Sequence, residues 1–206
     1  MKEKSKAYFF FKRVFDIFFS FISLIILIPL FLIISLLIVC TSKGHAFYVS
    51  TRVGQNGKEF KMFKFRSMVK NAEKMKKKLM KKNDMGNDPT FKMKDDPRVT
   101  KVGKFIRKTS IDELPQLINI FIGNMSFVGP RPALPEEVKQ YDDFARNRLI
   151  AKPGLTCIWQ CSGRNNIKFK EWMEMDNEYL EKRSLWFDFK IILKTIPAVL
   201  LHKGAE

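Results

Sequence analysis

The sequence predicts an α+β fold that is mostly helical, with an N-terminal re-entrant membrane helix followed by a compact domain. Three observations predict it: an uncharged apolar run over 17–40, a glycine-bracketed alternating segment over 48–68, and apolar stripes with helical spacing near the C-terminus. These features place a membrane-embedded helix-break-helix at 1–42 and the compact domain at 43–206. The domain is expected to combine a short β-hairpin with amphipathic helices of the interfacial type.

The charge balance limits the partners of this chain. Its 206 residues include 38 Lys and Arg against 21 Asp and Glu, a net charge of +17. Such a surface favours an anionic partner, which is nucleic acid, a membrane surface or a phosphorylated substrate. Cys157 and Cys161 are four apart with no His nearby, and Cys40 lies in the apolar run. The cysteines therefore predict apolar filler in a reducing compartment rather than a disulfide or a zinc site.

The apolar run is long enough to enter a bilayer. As a helix, 17–40 would extend about 36 Å, against a hydrocarbon core of about 30 Å. Because Lys and Arg flank it on both sides, the positive-inside rule places both ends in the cytoplasm. Pro29 lies mid-run and kinks or breaks a helix there, so a re-entrant hairpin is favoured over a straight span. The flanking basic residues are Lys2, Lys4, Lys6, Lys12 and Arg13 before the run, and Lys43, Arg52, Lys58 and Lys61 after it.

The segment after the run predicts a hairpin that carries basic side chains. Gly54 and Gly57 bracket a turn, and alternating residues follow it. Lys61, Lys64 and Arg66 are candidate phosphate contacts, although solvated strand edges explain the same residues equally well.

Two further segments have amphipathic helical patterns. The Lys-rich segment 70–95 predicts a basic surface helix that breaks into a turn, and it suits either an anionic leaflet or solvent. In the second of two C-terminal helices, Phe189, Leu193, Ile196 and Leu200 form one stripe. That stripe fits an interfacial helix and an ordinary core helix equally well.

The stretch RKTSIDELPQL contains an adjacent acid pair, Asp112 and Glu113. In one interpretation it is a capping box, with Ser110 as N-cap and Glu113 at the third helical position. In a second, the helix starts at Pro115 and both acids precede it. Spacing alone does not decide between them.

The surroundings of the acid pair favour chemistry. Arg107, Lys108 and Arg131 are expected to lower the pKa of both carboxyl groups and keep them ionised. An ionised Asp112 can attack phosphorus if cations neutralise the phosphate, and Glu113 can hold Mg²⁺ against the same group.

Two Pro/Gly segments add candidate binding residues. Arg131 is locked between two prolines in Gly-Pro-Arg-Pro, which suits bidentate phosphate binding. A second turn, AKPGLTCIWQCSGRNN, contributes Gln160, Arg164 and Asn165.

Several motifs in order resemble the bacterial sugar transferases, the monotopic polyprenyl-phosphate phosphoglycosyl transferases. They are RVGQNGKEFKMFKFRSM, DDPRVTKVGKFIRKTSIDELPQLINIFIGNMSFVGPRP, KPGLTCIWQCSGRN and SLWFDFKIILKTIPAVL. The chain departs from the family's usual pattern at Ile28, where Ser precedes the proline, and at Cys157, where Gly is usual. Cys161 and Asn124 also differ from the usual Val and Asp.

The resemblance implies a reaction: UDP-sugar and polyprenyl phosphate give polyprenyl-diphosphate-sugar and UMP, with Mg²⁺. Asp112 would attack the β-phosphate and carry the phosphosugar covalently. Glu113, with Asp112, would position the metal. Arg107 and Arg131 match phosphate-binding positions of the family.

The implied partners are a UDP-sugar donor, a polyprenyl phosphate acceptor and an anionic lipid bilayer, without nucleic acid and with a homodimer as a possible assembly. The implied location of the catalytic domain is the cytoplasmic face of a bacterial inner membrane. The rival interpretation is a membrane-tethered basic module that binds anionic lipid or nucleic acid without catalysis. A hydrolase using the same site is a closer rival.

Overall fold

The computed structural model describes residues 4–79, 93, 95–163 and 167–200. Over these residues the protein is α+β and mostly helical, as predicted. The helices are α1 Lys6–Ile26, α2 Ile28–Thr41, α3 Ala72–Leu79, α4 Lys101–Lys108, α5 Gln116–Ile122, α6 Pro135–Val138, α7 Asp143–Arg146, α8 Ile158–Ser162, α9 Phe169–Lys182 and α10 Leu185–Leu200. The strands are β1 Phe47–Val53, β2 Glu59–Phe65, β3 Ser126–Val128 and β4 Gly154–Thr156.

The apolar run forms two helices with a break between them. Leu27 separates α1 from α2, and the two axes are bent by 60°. Pro29 occupies the first turn of α2, where its missing N–H costs no hydrogen bond. The predicted break at this proline is therefore confirmed. Among the described helices none alone has the length and apolar composition of a membrane span, whereas α1 and α2 have them as a bent pair.

Basic and acidic side chains dock α1 onto the rest of the chain. Lys12 Nζ lies 2.7 Å from Asp188 Oδ2 in α10, and Arg13 donates to two carbonyls in the last turn of α5 at 2.7 and 2.6 Å. Asp16 is buried and its Oδ1 accepts from Ser126 Oγ at 3.0 Å. Two of the basic residues that flank the apolar run therefore bind the folded domain.

The predicted hairpin is confirmed. β1 and β2 pair antiparallel from Phe47 opposite Phe65 to Val53 opposite Glu59. The connecting turn places Asn56 at φ 56° and Gly57 at φ 77°, the left-handed region that Asn and Gly tolerate best.

Helix α5 packs against the hairpin and fixes its position. Asn119 accepts from Phe63 N at 2.9 Å and donates to Lys61 O at 2.7 Å, so one side chain satisfies the backbone edge of β2. Apolar residues of α5 and β2 close the contact, among them Ile120 and Met62. This packing brings the segment that precedes α5 next to β2.

A second sheet was not predicted. β3 and β4 pair in parallel, with Ser126 opposite Gly154 and Val128 opposite Thr156. A Cβ at Gly154 would lie 2.1 Å from Gly129 N, so the two glycines allow the backbones of the Gly-Pro-Arg-Pro and Lys-Pro-Gly segments to touch.

The remaining helical predictions have mixed outcomes. The two C-terminal helices are present, and Phe189, Leu193 and Ile196 are exposed, which excludes the core-helix interpretation for these three. The side chain of Leu200 lies outside the described residues. In the Lys-rich segment 70–95, α3 is helical as predicted, while 80–92 and 94 lie outside the described residues.

Candidate active site

The acid pair lies in a short turn that precedes a helix. Ser110 has φ 57°, which reverses the chain after α4, and its side chain makes no capping hydrogen bond. The capping-box interpretation is therefore wrong, because the left-handed backbone at Ser110 does not lead into an N-capped α-helix. Ile111–Glu113 forms one 3₁₀ turn, and Pro115 is the N-cap of α5. The second interpretation, in which both acids precede the helix, is the one observed.

Glu113 is held by two predicted site residues from distant parts of the chain. Lys64 Nζ in β2 lies 2.6 Å from Glu113 Oε1, and Gln160 Nε2 in α8 donates to Glu113 Oε2 at 3.1 Å. Cys157, one of the departures from the family pattern, is buried with its Sγ 3.9 Å from Gln160 Oε1. The residue at this departure therefore contacts the amide that orients Glu113.

Asp112 is only 9% exposed, and its environment differs from the expected one. Burial raises the pKa of Asp112 from 3.8 to about 6, and the charge of Glu113 adds to this effect. Lys64 and Arg107 lower the pKa but do not cancel the burial. The expectation that surrounding cations depress this pKa is therefore wrong, because the desolvation of a buried carboxylate outweighs them. At pH 7 the group is still about 90% ionised.

A pocket that is open to solvent lies beside Glu113 and holds about 270 Å³ of space, open solvent included. Basic and amide side chains dominate its polar lining. It is lined by Arg52, Met62, Lys64, Glu113, Gln116, Arg131, Pro132, Gly154, Leu155 and Gln160. Sequence reasoning identified four of these residues as site residues and missed Arg52 and Gln116. Arg52 was treated only as a charge flanking the membrane segment, although its position before the Gly54 turn was visible.

Arg131 reaches the pocket over an aromatic support. Its guanidinium carbon lies 5.8 Å from the ring centroids of both Trp159 and Trp172. The two indoles stack on each other at 4.8 Å. Cation–π contact with stacked rings favours one position of a charged guanidinium.

A buried ion pair supports the backbone of Arg131. Arg148 donates through Nη2 to Arg131 O at 2.8 Å and lies 2.8 Å from Asp176 Oδ2. Its Nη1 also donates to Tyr141 OH at 2.7 Å. Arg148 and Asp176 are each 1% exposed. Burial raises the pKa of Asp176 to about 6, and the charge of Arg148 opposes the rise.

Other predicted site residues lie apart from this pocket. Arg66 donates to Ser42 O and Ser42 Oγ, both at 2.8 Å, so it caps the C-terminus of α2, and phosphate binding by Arg66 stays a prediction. Arg107 lies in the last turn of α4 and acts on Asp112 through its charge. Arg164 and Asn165 lie outside the described residues.

The acid pair fits a magnesium ion in part. Over the described ranges no group of three or more His, Cys, Asp or Glu side chains converges. Mg²⁺ commonly uses only one or two carboxylates, with water and substrate phosphate completing its shell. Glu113, at the pocket, and the adjacent Asp112 supply that number of carboxylates.

A family model described as bacterial sugar transferase matches residues 7–202. The chain therefore belongs to the bacterial sugar transferase family and is an enzyme of that class.

Three relatives show how far the similarity extends. Exopolysaccharide production protein ExoY of Sinorhizobium fredii is 44% identical over 197 residues, covering 94% of this chain and 87% of the relative. Galactosyl transferase CpsE of Streptococcus agalactiae is 51% identical over 164 residues, covering 79% of this chain and 36% of the relative. Undecaprenyl-phosphate galactose phosphotransferase of Salmonella typhimurium is 45% identical over 204 residues, covering 95% of this chain and 42% of the relative. The chain spans less than half of the last two relatives.

Proposed function

We propose that this protein transfers a sugar phosphate from a UDP-sugar to polyprenyl phosphate, giving polyprenyl-diphosphate-sugar and UMP. The observation that carries the proposal is the acid pair: a buried Asp112 next to a Glu113 that faces a pocket lined by Arg52, Lys64 and Arg131. A diphosphate needs several cations, and a nucleophilic carboxylate needs to be partly desolvated yet ionised. The Salmonella relative, named as an undecaprenyl-phosphate galactose phosphotransferase, supports the acceptor.

Asp112 is the proposed nucleophile. A carboxylate oxygen of Asp112 forms a bond to the β-phosphorus of the donor, and the bond from that phosphorus to the bridging oxygen breaks. UMP leaves with the electron pair. An oxygen of polyprenyl phosphate then bonds to the same phosphorus, and the carboxylate of Asp112 leaves. With a pKa of about 6, Asp112 is a stronger base than an ordinary Asp and is still mostly ionised at pH 7.

Neighbouring residues orient Glu113 and neutralise the charge of the phosphates. Lys64 and Arg131 bind phosphate oxygens whose charge would otherwise repel the carboxylate. Gln160 holds Glu113 in one orientation, through the 3.1 Å hydrogen bond. Mg²⁺ bound by Glu113 and Asp112 would neutralise the diphosphate further.

The N-terminal helices support a membrane location. The 60° bend between α1 and α2, and the binding of Lys12 and Arg13 to the domain, support a hairpin that enters and leaves by the cytoplasmic face. The exposed apolar face of α10, which includes Trp186 and Phe189, supports contact with the same anionic leaflet. The acceptor phosphate would then meet the pocket at the surface of a bacterial inner membrane.

The test measures UMP release from a panel of UDP-sugars, by purified protein in detergent with Mg²⁺ and polyprenyl phosphate. Asp112→Asn is compared with wild type and with Asp143→Asn, an exposed aspartate in α7 that serves as the matched control. We expect sustained release from wild type and Asp143→Asn, and none from Asp112→Asn with an unchanged circular dichroism spectrum.

The covalent intermediate has its own measurement. With labelled donor and no acceptor, wild type is expected to release one equivalent of UMP and to retain the label on the peptide that contains Asp112. Release that continues without acceptor would instead indicate a hydrolase. No release from any donor, with activity in neither aspartate variant, would favour a basic membrane module.

A further inference from the structure

Arg52 lines the pocket and is hydrogen-bonded there only to polar groups, among the described residues. Its Nη1 donates to Pro132 O at 3.1 Å and its Nε to Ser50 Oγ at 3.4 Å. Neither Arg52 nor Arg131 forms an ion pair within 4 Å with any acid of the described residues. Two arginines therefore line one pocket without an ion-pair contact to an acid of the described residues, and Glu137 and Glu113 act on Arg52 only from beyond that distance.

The two neighbouring guanidinium groups repel each other. Burial and, after it, the charge of Arg131 lower the pKa of Arg52 to about 10, while Glu137 and Glu113 oppose the shift. Arg52 remains charged at pH 7, because a pKa of about 10 leaves almost all of its guanidinium protonated. Partly desolvated like charges are stabilised when an anion with two or more oxygens binds between them.

Contact distances divide the cations of the pocket into two groups. Lys64 Nζ lies 2.6 Å from Glu113 Oε1, so this cation is bound to the acid pair. Arg52 and Arg131 form no ion pair with an acid of the described residues. The pocket therefore has one cation in contact with the acid pair and two that can contact an anionic ligand directly.

We propose that Arg52 and Arg131 form an anion subsite that binds the nucleotide phosphate of the donor, the one that leaves as UMP. Lys64 then serves the phosphate that Asp112 attacks. This inference rests on the proposed transfer for its biological ligand, but the subsite itself is an anion site that can be measured without turnover. The alternative source of the same chemistry is the phosphate of the lipid acceptor.

The pocket contains its own optical probe. Trp159 and Trp172 stack beneath Arg131, and the third tryptophan of the chain, Trp186, is 64% exposed on α10. In a Trp186→Phe background, tryptophan fluorescence of the full chain in detergent reports on the surroundings of Arg131. UMP and inorganic phosphate are titrated separately.

Three variants are compared in that background: Arg52→Gln, Arg52→Lys and Lys58→Gln. Lys58 is an exposed cation in the turn of the same hairpin and is the matched control. We expect Arg52→Gln to bind UMP at least about tenfold more weakly, since a lost charge-assisted contact typically exceeds one factor of ten. Arg52→Lys retains part of the affinity, and Lys58→Gln binds as the parent does.

A salt series separates charge from structure. Binding through Arg52 predicts that UMP affinity falls as ionic strength rises, and that Arg52→Gln has a shallower slope than Arg52→Lys. A merely structural role through Pro132 O would leave the slopes equal. In turnover, Arg52→Gln should raise KM for the UDP-sugar and leave KM for polyprenyl phosphate within about twofold.

Several outcomes overturn the subsite. They are undetectable UMP binding by the parent, equal UMP binding by Arg52→Gln, or a raised KM confined to polyprenyl phosphate. The proposed transfer fails separately: Arg52-dependent UMP binding by a protein that releases no UMP would retain the subsite and refute the reaction.

Discussion

The buried pair of Arg148 and Asp176 predicts a sharp asymmetry between single and double substitutions. Removing one partner leaves a charge in a site that is 1% exposed, which typically costs about 3–5 kcal/mol. We therefore expect Arg148→Met and Asp176→Leu each to lose about that much unfolding free energy. Replacing both by apolar residues of similar volume removes both desolvation penalties, so the double variant should lie within about 2 kcal/mol of wild type.

The pH dependence of this loss has a defined sign. The folded pKa of Asp176 is about 6, above its ordinary value of 3.8, so the folded protein binds this proton more tightly than the unfolded chain does. The contribution of Asp176 to stability is therefore fully present below about pH 4 and is lost as pH rises through about 6. The full shift corresponds to about 3 kcal/mol. In Arg148→Met the opposing cation is gone, which raises this pKa further and makes that variant least stable near neutral pH.

The unfolding free energies of wild type, the two single variants and the double variant are measured by urea unfolding at a fixed detergent concentration, at pH 5 and at pH 7.5. The coupling between the two residues should exceed about 2 kcal/mol at pH 7.5 and shrink at pH 5. Single variants that each lose less than about 1 kcal/mol, or additive losses in the double variant, would refute the reasoning.

Three further predictions concern the acid pair and its supports. Because ionised Asp112 is the proposed nucleophile and its pKa is about 6, kcat/KM should fall about tenfold per pH unit below that value, and a profile flat to pH 4.5 would contradict this. Lys64→Met should lower kcat in the UMP-release assay more than about tenfold, because it removes the ion pair that holds Glu113. Lys61→Met removes only an exposed contact with a threonine, so its kcat should stay within about twofold of wild type. Gly154→Ala places a Cβ 2.1 Å from the backbone nitrogen of Gly129, which cannot move aside as a flexible side chain would. Urea unfolding should therefore report a loss of about 1–3 kcal/mol of unfolding free energy. Unchanged stability would show that the two backbones can separate.

Local patterns predicted the elements whose causes are local. Gly54 and Gly57 bracket the turn of the hairpin, and Pro29 marks the break between α1 and α2. The apolar spacing of Phe189 and Leu193 predicted α10. It did not predict whether the apolar stripe would be covered, because that depends on which face of the helix packs against other elements.

Interactions between distant segments could not be predicted in this way. The parallel pairing of β3 and β4 joins two strands of three residues, too short for a periodic signal. In the sequence Arg148 cannot be distinguished from a surface arginine, because only the fold brings Asp176 next to it. The raised pKa of Asp112 has the same origin, since the charged neighbours are visible in the sequence and the burial that outweighs them is not. The charge of Arg66 suggests a phosphate contact, but the sequence does not show that a carbonyl at the end of α2 accepts from its guanidinium.

The polar contacts of Lys12, Arg13 and Asp16 also determine the rotation of α1 about its own axis. These residues fall within about 100° of arc on a helix of 3.6 residues per turn, yet they bind three different elements, α10, α5 and β3. One inserted residue before Lys12 would leave these contacts intact, whereas one inserted between Arg13 and Asp16 would turn the rest of the helix by about 100° and break the third. Contacts with the folded domain therefore fix the rotation of the apolar half of α1 about its axis. This half includes buried Ser20, one turn beyond Asp16.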